Sequence, residues 1–574
     1  MARTSVEIRT SVVSWFSAHP RIGLTLLVLA ALLPCLSKPF NMDDPLFIWA
    51  AKHIRGQPFN PYGFEVNWYG SQRPMWEVTK NPPLACYYLA AVGSVLGWSE
   101  VALHAVLVAP AVAVILGTYR LARRLGAQPI VASVMTLFTP AFLVSSATVM
   151  CDTLMMAFWI WAVVFWVEGF ARGGLWKLFV AGGFICVAGL TKYYGIALVP
   201  LLAAYGLIKA RRPGGWCLVL LLPVLTMAAY DYSTRKIYGR TLLLDAATYA
   251  SVPAGIAATL ISKFGSGLTA LDFAGGCVAV GAFIGAALLP RRILGWTCAG
   301  TILFAVVLFW SGALLKDYRP IEGSSRLGIE AQIVFWAIGG AAILALTASE
   351  LWARRDAETW LLALWIFGTF IFAAVFNWTV NGRSIVPMVP AIALLIARRL
   401  RAEEGALEKG RFGRRYMIGS FAAGILLAAL VLRSDYLFAV TAWESARQTY
   451  EKYGKGNDRF WFQGHWGFQY YMRELGAVPL DEGHTDLRRG DFVAVPVNNA
   501  NYSPFKPELV VMLELLGISG PRPRFITTMK GEVGAGFYAS NRGPLPFAFG
   551  AVPEEKVVIL ALEPQAPPPS ARKR

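Results

Sequence analysis

Long apolar runs separated by short basic clusters fill this chain as far as about Leu432, and that alternation restricts its fold more than any other feature. A helix needs about 20 mostly apolar residues to cross a bilayer, and loops rich in Lys and Arg stay on the cytoplasmic side. Of the 574 residues 56% are hydrophobic and 15% charged, whereas soluble domains carry about 25% charged residues. The chain therefore reads as an integral membrane protein. Its formal net charge of +18 does not point to nucleic acid, because the basic residues sit between apolar runs. From residue 434 onward 16 Lys and Arg face 15 Asp and Glu, which leaves 37 against 20 for the first 433 residues. The seven cysteines, at 35, 86, 151, 186, 217, 277 and 298, show no CxxC pairing and read as small apolar fillers.

Basic clusters fall at Arg120, Arg123 and Arg124, at Arg172 and Lys177, at Lys209, Arg211 and Arg212, at Arg291 and Arg292, at Arg354 and Arg355, and from Arg398 to Arg415. About 35 to 80 residues separate successive clusters, enough for an outward and a return helix. The intervening tips, near 147–152, 190–194, 231–267, 316–326 and 377–384, then face outside. The first span, at about 22–40, follows Arg3, Arg9 and Arg21, which places the N-terminus in the cytoplasm. No small-x-small cleavage site follows it, and Pro34-Cys35 is a poor lipoprotein signal. The segment Pro82 to Leu96 is apolar but short and opens with two prolines, so residues 41–97 read as one external loop with interfacial helices. The expectation is about thirteen transmembrane helices over residues 1–433. Residues 434–574, with strand-like runs "DFVAVPV" and "KVVILAL", form a soluble extracytoplasmic α/β domain in the same reading.

Under this topology Asp43, Asp44, Lys80, Asp152, Lys192 and Arg383 converge on the external side. Ionisable groups at the ends of apolar segments line wet cavities or bind charged ligands. Asp44 directly precedes Pro45 and an apolar stretch, as a helix cap does. A general base needs a free carboxylate at the reacting centre, so Asp43 is the candidate base and Asp44 its reserve. Asp152 opens an apolar helix, either as a cap or as a carboxylate that holds a cation together with Asp43. Lys192 lies between Thr191 and Tyr193-Tyr194, either snorkelling to the interface or holding a lipid-linked phosphate. Lys80 heads the interfacial helix, whose exposed N–H groups favour an anion. Arg383 is a candidate phosphate or sugar contact, while His53, Arg55, Arg73 and Glu77 read as solvated loop residues and His104 as a core histidine. Gly275-Gly276 and Gly339-Gly340 suit close helix packing. No Walker motif, GxGxxG unit, HExxH motif or GxSxG elbow is present.

The acidic pair after the first span, "KNPPLACYY", "RLARRLG", "MCDTLMMAFW" and "GLTKYYG" occur in this order. Together they resemble membrane glycosyltransferases of the C-type fold, in particular the protein O-mannosyltransferase and lipid A aminoarabinose transferase group. The resemblance runs over about residues 20–435. It implies that Asp43 is the catalytic base, that Lys80 and Lys192 contact the donor phosphate, and that Asp152 helps form the site and shares a divalent metal ion with the base. That family often has Asp-Glu where this chain has Asp43-Asp44, so the register of the base is open by one residue.

The implied reaction moves a sugar from a polyprenyl-phosphate donor to a hydroxyl of a lipid, glycan or protein acceptor at the outer face of the plasma (inner) membrane, with inversion at the anomeric carbon. The competing class is a transporter or flippase of lipid-linked saccharides. Transporter sites lie near the midplane on broken helices and accompany inverted repeats. No internal repeat is evident, and the charges gather at one interface.

Overall fold

The computed structural model of the chain describes residues 15–16, 18–251, 260–312, 314–315, 325–402, 414–481, 487–499 and 510–562. Among these residues eight helices are long and apolar enough to cross a membrane, or ten if each of two bent pairs is one span. The chain is a mostly helical, polytopic membrane protein. One bent pair, Pro129–Leu137 and Pro140–Ser146, turns by 65°. Pro140 cannot donate a backbone hydrogen bond there, and Thr139 caps the second half by accepting from the Phe142 amide at 3.4 Å. The other pair, Lys263–Cys277 and Ala279–Leu288, turns by 97°.

Small residues let helices touch. A Cβ on Gly275 would lie 1.9 Å from the Trp336 carbonyl oxygen, and one on Gly340 would lie 2.0 Å from that of Leu271. These glycines bring the helices Leu260–Cys277 and Arg326–Arg354 into backbone contact, as the paired glycines suggest.

Residues 41–97 hold the helices Asp44–Gly56 and Leu84–Leu96, with an antiparallel hairpin of Glu65–Asn67 and Gln72–Pro74 between them. Each helix has 13 residues, too few to cross a bilayer. Two expectations need correction. The tip expected at 231–267 is partly helical, because Leu221–Tyr238 overruns its start and Leu260–Cys277 begins before its end. The span expected to stop near Leu432 continues as one helix, Arg414–Thr449, through the expected division at 433/434. Its later turns are covered by the C-terminal part, where Ser434 donates to the Ile526 carbonyl at 2.6 Å, in the short strand Ile526–Thr527. Residues 316–324, within another expected tip, lie outside the described residues.

The basic clusters meet at one end of the helices. Glu168 takes Arg120, Arg124 and Lys177 at 2.7 to 3.1 Å. Glu350 takes Arg354 and Arg399, and Asp356 takes Arg398. The helix Asp152–Arg172 carries Glu168 near this end and Asp152 at the other.

After Gly454 the chain builds a five-stranded sheet in the order Val478–Pro479, Phe460–Phe462, Phe492–Pro496, Lys556–Leu562 and Val510–Gly517. The first two pairings are parallel and the last two antiparallel. This part grips the helices at three places. Lys38 and Asp435, almost fully buried, pair at 2.5 Å; Asp435 also accepts from Thr528 at 2.9 Å and Tyr538 at 3.0 Å. The Gly382 amide donates to the Phe537 carbonyl at 2.7 Å, where a side chain on Gly382 would strike the Phe537 ring. Gly467 likewise lies so close to Phe40 that a Cβ would come within 2.5 Å of its carbonyl oxygen.

Removing one member of a buried ion pair strands the other, at a cost of about 3–5 kcal/mol. Lys38→Met and Asp435→Asn should each lower the melting temperature in detergent. The double variant Lys38→Met/Asp435→Leu should be no less stable than the weaker single variant; additive losses would show that the pair is not coupled.

Candidate functional site

The loop between the first helix and Asp44–Gly56 is built to aim one carboxylate. Met42 adopts φ 52, a left-handed conformation that a bulky residue takes only when its surroundings impose it. Those surroundings are hydrogen bonds on either side. The Phe40 amide donates to Tyr471 Oη at 2.8 Å, and the Gly467 amide donates to Asn41 Oδ1 at 3.1 Å. Asp44 accepts from the Asn41 amide through Oδ2 at 3.0 Å and from the Val149 amide through Oδ1 at 2.8 Å. Asp44 is fully buried, and it ties this loop to the 147–152 turn instead of capping its own helix. Burial pushes its carboxyl up to about 7, against the pull of Lys38 and the two amides.

Asp43 faces the other way. It lines a cavity of about 990 Å³ together with Lys80, Asp152, Lys192 and Arg383. All the candidate residues except Asp44 thus meet in one space. Asp43 Oδ2 pairs with Arg383 Nη2 at 2.9 Å, and Arg383 Nη1 donates to Met150 Sδ at 2.9 Å. Asp152 sits in the first turn of its helix without capping it, and pairs through Oδ1 with Lys192 Nζ at 2.5 Å. Its buried Oδ2 has no partner among the described residues. Lys192 therefore turns inward to Asp152 instead of snorkelling, from an extended residue that separates Leu175–Thr191 from Tyr193–Ala197. Tyr194 stacks on Trp159 at 5.4 Å and 6°, and its hydroxyl donates to Thr369 at 2.9 Å, which fixes the floor beside the lysine.

Lys80 does not head the helix Leu84–Leu96, because Pro82 and Pro83 intervene. Its Nζ donates to the Glu77 carbonyl at 2.6 Å and lies 5.5 Å from the Tyr249 ring centre. Burial holds its ammonium below the usual lysine range, with Asp245 opposing. His53, Arg55, Arg73 and Glu77 do not line the cavity, and His104 is buried with Nδ1 against the Glu100 carbonyl. Among the described residues no group of three or more His, Cys, Asp or Glu side chains could hold a metal ion. Asp43 and Asp152 each engage a cationic side chain instead, so this donor set does not fit the expected shared metal.

Sequence reading missed the wall that the last 110 residues contribute. His465, Trp466, Tyr538, Asn541 and Arg542 line the same cavity. Burial, with Arg542 secondary, pushes His465 down to about 3, so its ring is neutral. Lys38 and Asp435, each beside an apolar run, carry the same kind of signal as Asp152, but only their pairing across 397 residues reveals what they do. Along a different flank the cavity is apolar, between Ile196, Pro200 and Leu201 on one helix and Leu364, Ile371 and Phe376 on another. Ile371 is 47% and Phe376 57% exposed, so this flank reaches the outside of the helical bundle.

Residues 80–230 match the family model of dolichyl-phosphate-mannose-protein mannosyltransferases. The matched stretch contains Lys80, Asp152 and Lys192, so the resemblance read from the motifs is found independently there. No curated protein matches the chain by sequence. Solved structures similar to it include the Archaeoglobus fulgidus oligosaccharyltransferase tethered with an acceptor peptide, at TM-score 0.45 and 14% identity over 82% of this chain and 64% of that one. ArnT from Cupriavidus metallidurans bound to undecaprenyl phosphate matches at TM-score 0.46 and 10% identity, over 94% of this chain and 97% of that one. The Saccharomyces cerevisiae protein O-mannosyltransferase Pmt1-Pmt2 complex bound to the sugar donor matches at TM-score 0.30 and 16% identity, over 40% and 35%. This chain thus spans less than two thirds of the archaeal enzyme's length.

Asp44 gives a testable pH dependence. The folded carboxyl keeps its proton up to about 7, whereas the ordinary value is 3.8, so the native state binds that proton more tightly than the unfolded chain. Its contribution to stability is complete below about 3.8 and is lost as pH rises through about 7. The melting temperature should fall between pH 5 and pH 8 more steeply in the wild type than in Asp44→Asn; equal slopes would remove Asp44 as the source.

Proposed function

We propose that this chain is an inverting glycosyltransferase that moves a sugar from a polyprenyl-phosphate donor to an acceptor hydroxyl. The single observation that carries the reading is the convergence of Asp43, Lys80, Asp152, Lys192 and Arg383 on one cavity whose flank opens as an apolar slot between two helices. A lipid phosphate fits that combination, with its tail in the slot and its headgroup among the cations. In the reaction the bond from the anomeric carbon to the phosphate oxygen breaks and its electron pair stays on the phosphate. The acceptor oxygen bonds to that carbon from the opposite face, and its proton passes to Asp43. Asp43 Oδ2 is held by Arg383, and the carboxylate lines the cavity. Lys80, which has no carboxylate partner among the described residues, and Lys192, which spends one donor on Asp152, stabilise the departing phosphate. A well-placed donor of this kind supplies about 3–4 kcal/mol to a transition state. Asp152 acts by holding Lys192, and Arg383 by orienting the base.

The same reading places the cavity on the outer face of the plasma membrane. The basic clusters gather at the opposite end of the helices, where the positive-inside rule puts the cytoplasm. Adding Pro20–Cys35, Leu175–Thr191 and the helical stretch from Gly382 to Ala402 to the ten spans makes about thirteen. The N-terminus is then cytoplasmic and residues 434–574 form an extracytoplasmic domain. An impermeant thiol reagent should label a cysteine placed at the exposed Phe59 or Phe525 in intact cells, and should not label one at Gly405.

With undecaprenyl-phosphate sugars as donors, release of free undecaprenyl phosphate should depend on an acceptor fraction from the cell envelope. It should fall by at least about a hundredfold in Asp43→Asn. Lys80→Ala should depress turnover more than donor affinity, because its charge is needed most as the phosphate leaves. Activity in Asp43→Asn with loss in Asp44→Asn would move the base by one residue. Intact donor reaching the opposite leaflet with no cleavage would favour a flippase.

A further inference from the structure

The charges around the cavity do not balance. Among the described residues four cations line it, Lys80, Lys192, Arg383 and Arg542, against the two carboxylates Asp43 and Asp152. The carboxylates are taken by Arg383 and Lys192. Lys80 and Arg542 are left, half-buried, without a carboxylate partner among the described residues. A desolvated cation without a counterion is costly, so a cavity that keeps two of them is suited to two anionic groups. Lys80 has a use in the proposed reaction. Arg542 has none.

Arg542 is set apart from Lys80 by its neighbours. Its Nη1 donates to the Asn499 carbonyl at 2.8 Å, and its guanidinium lies 5.9 Å from the Trp466 ring centre. Trp466 in turn stacks on His465, ring planes 3° apart, and holds φ at 60, which a tryptophan adopts only under constraint. The Trp68 ring meets His465 edge-on at 4.2 Å. The stack is thus clamped from both sides, with Arg542 part of the cavity lining. Lys80 rests on Glu77 and Tyr249 and shares none of these neighbours. A planar fork recognises phosphate or carboxylate through paired hydrogen bonds. Tyr69, 41% exposed, and Asn541 lie on the same cavity and offer an aromatic face and an amide, the groups that meet a pyranose.

We propose that Arg542, propped by Trp466, is an acceptor-side anion subsite: the hydroxyl that loses its proton to Asp43 belongs to a glycan headgroup bearing a phosphate or a carboxylate. This rests on the transferase reading. Arg542 forms no bond to the reacting atoms; it orients the acceptor and holds its charge away from the phosphate that departs at Lys80.

The full-length protein in nanodiscs is titrated with undecaprenyl phosphate, and then, with and without saturating undecaprenyl phosphate, with glucose, glucose 6-phosphate and glucuronate. At least one anionic sugar should bind about tenfold more tightly than glucose, the factor expected of one charge-assisted contact. Glucose 6-phosphate ahead of glucuronate identifies a phosphate-bearing acceptor, and the reverse order a carboxylate. Arg542→Gln should abolish the preference and leave undecaprenyl phosphate affinity within about twofold, while Lys80→Gln should do the opposite. If Arg542→Gln fails to fold, Arg542→Lys decides, since a point charge without the fork should weaken the anionic sugar by at least about threefold. The proposal is overturned if no anionic sugar outbinds glucose, if Arg542→Lys binds it unchanged, or if Arg542→Gln weakens undecaprenyl phosphate as Lys80→Gln does. Failure of the wild type to bind undecaprenyl phosphate would instead count against the transferase reading, and the sugar titrations without lipid would still report on Arg542.

Discussion

Lys38 and Asp435 are 397 positions apart, and their pairing at 2.5 Å in a fully buried setting decides where the first loop begins. Neither charge is solvated, so each requires the other, and the Lys38 ammonium completes its bonding on the Ala147 carbonyl at 3.0 Å. That one side chain therefore joins the end of the first helix, the turn before Asp152 and the helix that leads into the sheet. Asp44 repeats the device from the other side, since its two oxygens join Asn41 and Val149. With both ties made, Met42 has little freedom left, and its left-handed turn sends Asp43 outward. The aim of the candidate base is thus a consequence of buried polar bonds that touch no substrate.

How much of this can be read in the chain depends on range. The helices, the short apolar Leu84–Leu96 and the strands Phe492–Pro496 and Lys556–Leu562 follow from local periodicity, and each announces itself within twenty residues. The candidate site is legible through a different physical fact, namely that charge at the end of an apolar run is expensive. That reasoning singled out Asp43, Lys80, Asp152, Lys192 and Arg383, all of which line the cavity. It could not give pairings. Asp152 with Lys192 and Asp43 with Arg383 are contacts between separate helices, and the alternatives of cap or snorkel were local stand-ins for them. Arg542 and Trp466 were illegible because they lie in a polar segment, where a cation or an aromatic carries no surprise.

The helix Arg414–Thr449 shows the same limit in another form. Composition changes near residue 433, and a boundary drawn there is sensible from hydropathy alone. The backbone ignores it. Ser434, Asp435 and Ser445 are buried in the helix beyond that point, and Ile526, Thr528 and Tyr538 of the C-terminal part cover the turns that leave the apolar run. A stiff helix shared by both parts fixes the height of His465, Trp466 and Arg542 over the cavity more firmly than a linker would.

On the proposed transferase reading the cavity joins two environments, and their division of labour bears on how rate would be gained. Its slot, lined by Leu201, Leu364 and Phe376, offers a lipid tail the same contacts before and after the sugar leaves. Tail binding of that kind is uniform and changes affinity without changing the barrier. The charged end differs, because a phosphodiester gains negative charge as it becomes a monoester. Lys80 is only half-buried and rests on a carbonyl and a ring, so among the described residues no carboxylate is paired with it as that charge grows. Lys192 and Arg383 are partly neutralised by their aspartates and contribute less to ground-state attraction. On that reading an anionic lipid would be retained mainly by its tail, and the cations would be left to act most strongly at the moment of bond cleavage. A site that bound the headgroup tightly at the start would lose that difference, which is why the two carboxylates matter as much as the cations they hold.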